Sequence, residues 1–501
     1  MAKRTIRTIP QERAPMPVQP ADERITNFRE VACGFSLEDA LHECARCLEC
    51  PEPACIAGCP VGIDIRAFIA KIGEKDYRGA YDIISSANLL PAICGRVCPQ
   101  ESQCEGVCPV GDTLQPVAIG RLERWIGDEA IKESWNAPPY IEPSGFKVGI
   151  IGSGPAGLAC AADLAKAGCD VTIYEALHRP GGVLRYGIPE FRLPNDVIDS
   201  EIANVERLGV KIECNTLVGR LFTIEEMRDG MGFDAVFIGT GAGAPAFMNI
   251  PGESLNGVPS ANELLTRCNL MMAGKFPDFD TPLKMGKRVA VIGAGNTAMD
   301  AMRVSLRLGA EKVYCVYRRT EAECPAREEE LHHAIEEGIE FNWLTAPIEI
   351  LADGDGNVRG MRCQRMELGE PDDSGRRRPV PIEGSEFEFE TDMVVYAIGT
   401  KANPILGQTS KLKLNKWGYI VADETLATSM AGVYAGGDIV TGAATVILAM
   451  GAGRRAARSI KTYLGIRDSE IVYRPARTDC SGTLFGIDVE EKNYSRIRLA
   501  G

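Results

Sequence analysis

The sequence has no run of about 18 apolar residues, which excludes a helical span across a bilayer. Its first twenty residues, MAKRTIRTIPQERAPMPVQP, lack the apolar centre of a secretory leader; their prolines suggest an extended arm, and a cytoplasmic location is expected. Positive charge is not in excess. Lys+Arg number 55 against 69 Asp+Glu, and the net charge of −14 argues against a nucleic-acid partner while leaving room for a small basic electron carrier. Histidine is scarce, with 4 residues, and none pairs with the cysteine groups, so a His-containing zinc site has no support.

Cysteine, by contrast, is abundant and uneven. Ten of the 18 lie between Cys33 and Cys108. In a chain of 501 residues, long enough for two to four domains with real cores, that density points to metal or cluster ligation in a reducing compartment rather than to disulfides. Cys47, Cys50, Cys55 and Cys59 run C-x2-C-x4-C-x3-C-P, and Cys98, Cys104 and Cys108 run C-x5-C-x3-C-P. Thiolates this close repel one another unless a metal or cluster holds them. A C-x3-C-P ending occurs in ferredoxin runs whose last Cys serves the other cluster. Two such endings suggest two clusters with crossed ligands. Cys47, Cys50 and Cys55 would join Cys108, and Cys59 would join Cys98 and Cys104. The second set is one ligand short; Glu123 is a candidate, with Cys94 and Cys44 as alternatives. Structural zinc is the competing reading, but seven thiols exceed one zinc site.

Between the two groups the apolar residues follow a helical period. Ile65, Phe68, Ile69 and Ile72 make one face, and Tyr77, Ala80, Tyr81 and Ile84 continue it. Residues 1–144 therefore read as an arm and a small helical domain, with a Pro-rich linker at 136–145.

Residues 148–175, VGIIGSGPAGLACAADLAKAGCDVTIYE, hold the strongest single signal. An apolar strand leads into Gly152-x-Gly154-x-x-Gly157, with Pro155 and Ala156 opening an Ala/Leu-rich helix. The first glycine allows a tight turn, the second admits a pyrophosphate, and the third lets helix and strand pack. The helix start offers free N–H groups to phosphate oxygens. Glu175 ends the next strand, where an acid bonds a ribose. An ordinary glycine turn would not need this whole context.

The following HRPGGVLRYGIPEFRLP carries Gly182, whose small size lets the chain run beside a cofactor. Arg185 and Arg192 are candidates to face a phosphate or ring, with an ordinary glycine loop as the rival reading. FDAVFIGTGA (233–242) and DMVVYAIGT (392–400, containing Gly399) repeat one form, a buried strand and a small-residue turn of the kind found beside nucleotides. A second fingerprint, GAGNTAMD, contains Gly293, Gly295, Asn296 and Thr297, with Ala298 in the third glycine's slot. Its following strand ends Tyr317-Arg318-Arg319, without an acid. Arginines there favour the 2′-phosphate of NADP(H) over NAD(H). Arg327 is a third candidate, with a surface ion pair to Glu329 or Glu330 as the alternative. In the return segment, Gly437 and Asp438 suit the ribityl or pyrophosphate region of a flavin cofactor. The helix opening near Thr445 and Val446 would aim its N-terminus at the flavin ring. The expected boundaries are 145–250 and 388–465 for a flavin domain and 251–387 for an inserted nucleotide domain. A tail at 466–501, with Cys480, has no clear period.

The order of motifs resembles the small subunit of bacterial glutamate synthase. It also resembles the NADPH-binding subunit of NADH-dependent ferredoxin:NADP+ oxidoreductase and the N-terminal part of dihydropyrimidine dehydrogenase. The likeness runs over roughly residues 30–465 and rests on RCLEC…GCP (46–60), CGRVCP (94–99), GSGPAGL (152–158), GGVLRYGIPEFRLP (181–194), GAGNTAMD (293–300), YRRTEAECPAREEE (317–330) and AGGD (435–438). Cys324 departs from the usual Met or Leu before the proline. The resemblance implies an α/β protein with two Rossmann-like nucleotide-binding domains, the second inserted in the first, preceded by an all-α domain with two [4Fe-4S] clusters. It implies FAD in the first nucleotide domain and NADP(H) in the second. Glu123 stands where some relatives offer the odd ligand, and Arg318, Arg319 and Arg327 stand at the 2′-phosphate readers. It implies an NADPH-dependent oxidoreductase subunit serving a glutamate synthase-type large subunit. The alternative is a ferredoxin-coupled, electron-bifurcating transhydrogenase with a flavin/[2Fe-2S] partner.

Overall fold

The computed structural model describes residues 9–135, 139–372 and 375–474. Cys480 and most of the tail lie outside the described residues, as do the first eight residues and 136–138.

The front of the chain is helical. Helix Leu37–Arg46 starts at Ser36, whose hydroxyl accepts from Asp39 N while Asp39 accepts back, a capping box. Asp64 and Asp76 cap helices Ile65–Gly73 and Tyr77–Ala87 in the same sense. The expected apolar faces turn inward. Phe68, Ile69, Ile72, Ala80 and Ile84 are buried against Leu122 and Ile126 of helix Ile119–Lys132. Tyr77 meets Trp125 edge-on, with ring centroids 5.2 Å apart. The cysteine loops fill the space beside this small core.

Two parallel sheets follow. The first has the order Val433–Ala435, Ala235–Ile238, Lys147–Ile151, Asp170–Tyr174, Lys211–Glu213. The second has the order Met393–Tyr396, Arg288–Ile292, Lys312–Val316, Glu340–Asn342. Helix Pro155–Lys166 covers the first sheet and helix Asn296–Arg307 the second. The inner strands are almost continuously apolar because both faces of such sheets are covered, whereas the edge strands Lys211–Glu213 and Glu340–Asn342 are polar and partly exposed. An antiparallel sheet of Thr345–Ala352, Val358–Pro371, Arg377–Pro381 and Phe387–Glu390 extends the second domain.

The second domain is inserted in the first, since Val433–Ala435 returns to the first sheet beside Ala235–Ile238. Its expected limit at 387 needs correction. Met393–Tyr396 pairs with Arg288–Ile292, so the second sheet continues past that point. The two connecting segments, Ala244–Pro245 and Thr400–Lys401, pair antiparallel and form the neck between the domains.

Three contacts tie the parts together. Helix Val446–Leu464 of the first domain packs on helix Pro155–Lys166, so closely that a Cβ at Gly453 would collide with Ala156 O. On another side, Gly451 of the same helix faces Pro60 O, where a Cβ would lie at 3.4 Å. The arm before residue 36 reaches both nucleotide domains. Arg24, 1 % exposed, bonds Glu337 at 2.8 Å, while Val31 N donates to Phe191 O at 2.9 Å.

Candidate functional site

The first dinucleotide turn separates two demands on its glycines. Gly152 takes the left-handed backbone, φ 98°, and a Cβ there would lie 2.7 Å from Gly239 O. A Cβ on Gly157 would collide with Gly152 O. Gly154 differs: its Cβ would meet only Gly239 O, at 4.0 Å, so this position faces open space. Helix Pro155–Lys166 begins at Gly154 with no side-chain cap. Its free N–H groups and positive end therefore remain available to an anion. Gly182 packs on the turn from the other side, where a Cβ would lie 2.9 Å from Gly154 Cα.

Glu175 is buried at the rim. Ser153 N donates to its Oε2 and Leu177 N to its Oε1, both at 2.9 Å. Across the cradle, Asp438 accepts from Ala444 N at 3.2 Å, and burial raises its carboxyl. Gly437 presses on the dinucleotide helix, its Cβ position 3.2 Å from Ala156 Cβ. Thr445 caps helix Val446–Leu464 by accepting from Leu448 N at 3.3 Å. Tyr186 sits among these groups; burial first, then the charges of Asp438 and Glu175, push its phenol up to about 12.

The second turn repeats the design. A Cβ on Gly293 would collide with Ala397 O, whereas Gly295 has only Pro325 Cγ within 4 Å, at 3.9 Å. Helix Asn296–Arg307 again begins on glycine without a side-chain cap. Ala298 is fully buried, Thr297 is exposed, and Asn296 Oδ1 accepts from Arg327 N at 3.0 Å. Cys324 lies close by, its Sγ 3.2 Å from Ala294 O.

The cysteines form two neighbourhoods. Cys47, Leu48, Cys50, Cys55 and Cys108 line one small apolar cleft. Burial, then Cys108 and Cys47 beside it, push the Cys55 thiol up to about 11. The other neighbourhood is deeper. Burial raises Cys104, followed by the charges of Glu105, Glu123, Cys59 and Cys98. Cys98 is raised first by its hydrogen bond with Cys94 and then by burial, while Arg327 acts in the opposite sense. Glu123 accepts from Asn88 Nδ2 at 2.6 Å, and burial pushes its carboxyl up to about 7. Each group thus collects acids that oppose one another's ionisation, a set that a cationic cluster would relieve. Among the described residues, no three Cys, His, Asp or Glu side chains are placed to hold a single metal ion.

Comparison with known proteins fits this division. Residues 24–135 match the family model of dihydropyrimidine dehydrogenase domain II, 4Fe-4S cluster, and residues 146–453 match that of pyridine nucleotide-disulphide oxidoreductases. The glutamate synthase [NADPH] small chain of Azospirillum brasilense is 38% identical over 454 residues, covering 89% of this chain and 93% of that one. The chain belongs to the glutamate synthase small-subunit family. It is an NAD(P)H-dependent flavin/iron–sulfur oxidoreductase, with a 4Fe-4S-type module ahead of a pyridine-nucleotide/flavin module. The putative oxidoreductase UacF of Escherichia coli is 39% identical over 459 residues, covering 90% of this chain and 71% of the relative. The NADP(+)-dependent formate dehydrogenase subunit beta of Moorella thermoacetica is 41% identical over 440 residues, covering 82% of this chain and 60% of the relative. Mycobacterium tuberculosis FprA in complex with NADPH shares the fold, with a TM-score of 0.54 at 22% identity over 65% of this chain and 85% of FprA.

Within this family member, several arginines depart from expectation. Arg192 does not face the first cradle. It pairs with the buried carboxylates of Asp300 at 2.7 Å and Glu330 at 2.9 Å, across to the second domain. Arg185 bonds Asn195 at 2.9 Å and also pairs with Asp199, the ordinary-loop alternative. Arg319 is buried on Asp372 at 2.6 Å and Arg377 O at 2.7 Å. Arg327 pairs with Glu329 at 3.2 Å, but it is buried rather than a surface residue, and it also reaches Arg96 O at 2.7 Å. Arg318 alone of these is exposed, with no ion-pair partner among the described residues. Gly399, φ 107°, lies at the neck, its carbonyl accepting from Ala246 N at 3.1 Å. Ser153, Tyr186 and Asn88 were not singled out by sequence. Ser153 had a weak signal, as the small residue inside the fingerprint; Asn88 had none.

Proposed function

We propose that this chain is an NADPH-dependent FAD/iron–sulfur oxidoreductase subunit, passing electrons between NADP(H) and a partner subunit as in glutamate synthase. FAD would be held by the Gly152–Gly154 turn, Gly182, Glu175 and Asp438, and NADP(H) by the Gly293–Gly295 turn with Arg318. Cys47, Cys50, Cys55 and Cys108 would hold one [4Fe-4S] cluster, and Cys59, Cys98, Cys104 and Glu123 the other. When bound, these groups supply two-electron hydride chemistry at the flavin and one-electron carriage at the clusters.

The observation that carries this reading is the shared helix Val446–Leu464. Its N-terminal end is tethered through Ala444 to Asp438 at the flavin cradle. One turn on, Met450 Sδ lies 3.6 Å from Cys94 Sγ, and Gly451 faces Pro60 beside Cys59. One rigid element thus spans the flavin cradle and the deeper cysteine group. The chain's own residues orient the cofactors and exclude water; no side-chain acid or base is required for hydride transfer.

Iron, acid-labile sulfide and flavin assayed on anaerobically purified protein test this directly. About eight iron per chain are expected for two such clusters; four or fewer would overturn the two-cluster reading. Arg318→Ala should weaken NADPH binding at least about tenfold, the loss of a charge-assisted contact, and leave NADH binding nearly unchanged. Equal losses for both nucleotides would remove Arg318 from the 2′-phosphate.

A second reading has its own support. The similarity to the formate dehydrogenase beta subunit favours a redox partner other than a glutamate synthase large subunit. A ferredoxin-coupled transhydrogenase is the form it would take. NADPH-driven reduction of added ferredoxin by the isolated chain would favour it, and glutamine-dependent glutamate formation with a large subunit would oppose it.

A further inference from the structure

Arg327 occupies an unusual position between the second nucleotide turn and the deeper cysteine group. Its backbone is fixed at the nucleotide end, where Arg327 N donates to Asn296 Oδ1 at 3.0 Å. Its side chain runs away from that turn. Nη1 donates to Arg96 O at 2.7 Å, and Nη2 donates to Gln100 Oε1 at 3.0 Å. Gln100 in turn donates to Cys94 O and Gly95 O, both at 3.3 Å. The guanidinium therefore rests on both ends of the segment that carries Cys94 and Cys98. It is 7 % exposed, so water screens it little.

Its ion-pair partners are Glu329 at 3.2 Å and Glu101 at 3.6 Å, both about a third exposed, and the buried Glu330 also feels its charge. The cation itself is buried and is hydrogen-bonded two residues to either side of Cys98, at Arg96 O and Gln100 Oε1. A cation beside a cluster ligand stabilises the electron-rich state of that cluster.

We infer that Arg327 is a positioning residue for the deeper cluster, holding the Cys94–Cys98 segment and raising that cluster's reduction potential, rather than a reader of the 2′-phosphate. This rests on the proposed cluster at Cys59, Cys98 and Cys104. Both of its guanidinium bonds to the helical front end, to Arg96 O and Gln100 Oε1, are made with the cysteine segment.

The test compares Arg327→Met, Arg327→Lys and Arg318→Ala with the unaltered protein, anaerobically. The midpoint potential of the deeper cluster is read by EPR-monitored titration, and NADP+ binding by its perturbation of the flavin spectrum. Arg327→Met should move the potential in the negative direction, Arg327→Lys should recover part of the shift, and NADP+ affinity should change less than about threefold in both, against at least about tenfold in Arg318→Ala. Loss of half the iron in Arg327→Met with retention in Arg327→Lys also supports the inference, because the cation then holds the segment. An unchanged potential in Arg327→Met at full iron content overturns it. So does an NADP+ loss matching Arg318→Ala, or equal iron loss in both Arg327 variants. Iron at four or fewer per chain in the unaltered protein would instead defeat the parent reading, and this one with it.

Discussion

Gly154 and Gly157 stand three residues apart and answer to different constraints. Gly157 is required by the fold, since any Cβ there meets Gly152 O. Gly154 already has an ordinary φ of −68° and open space in front of it. Alanine should separate the two. Gly154→Ala is expected to fold with near-normal stability and lose most of its flavin, read as the ratio of flavin to protein absorbance. Gly157→Ala should cost about 1–3 kcal/mol even without cofactor, from overpacking against backbone, read by denaturant unfolding of the apoprotein. If both lose flavin only through unfolding, Gly154 does not line the phosphate site.

At the level of elements, helix Glu328–Glu336 ends at Glu337, which gathers Arg24, Arg303 and Arg307. The acidic partner is held down to about 2; burial opposes this, and the hydrogen bond from Arg307 and the charge of Arg303 overcome it. A folded pKa below the usual value means that the contribution is complete above about 4.5 and disappears as the pH falls toward 2. Glu337→Gln should therefore flatten the acid limb of the stability profile. At neutral pH it should cost about 3–5 kcal/mol, because buried guanidinium groups are left without their counter-charge. An unchanged acid limb would mean the network is not formed in solution. Such elements differ in how far sequence discloses them. The helix faces around Phe68 and Ile84 and both glycine turns follow local periods and spacings, and they were legible. Strand Met393–Tyr396 was legible as a strand but not as a member of the second sheet, because DMVVYAIGT and FDAVFIGTGA share one pattern and pairing is non-local. The partners of Arg192 and Arg327 lie 108 and 231 residues away, respectively, and long side chains choose among many carboxylates and carbonyls in range. No local pattern encodes that choice.

The described residues divide into a helical front end and two nucleotide domains, with unequal expected dependence on cofactors. The helical front end has a small core in which Cys44 and Cys104 are buried, with Cys47, Cys55, Cys59 and Cys108 packed around it. Ligand binding there is folding energy in the usual sense of a metal domain. Iron removal by anaerobic chelation should expose residues 36–132 to protease before the nucleotide domains, and melting should split into two steps. A single transition at unchanged temperature would show that the front end stands without its clusters. The nucleotide domains carry full parallel sheets and have no such need. Their connection has a further consequence. The inserted domain leaves and re-enters through strands hydrogen-bonded to each other, Ala244–Pro245 against Thr400–Lys401. Its two ends are therefore neighbours, and grafting in another nucleotide module requires matching one short spacing rather than two separate attachment points. The inserted domain is in that sense a replaceable cartridge, whose exchange is resisted by the contacts that cross its border, among them Arg24, Arg192 and Arg327 and the packing of Val31 and Phe191 into its core.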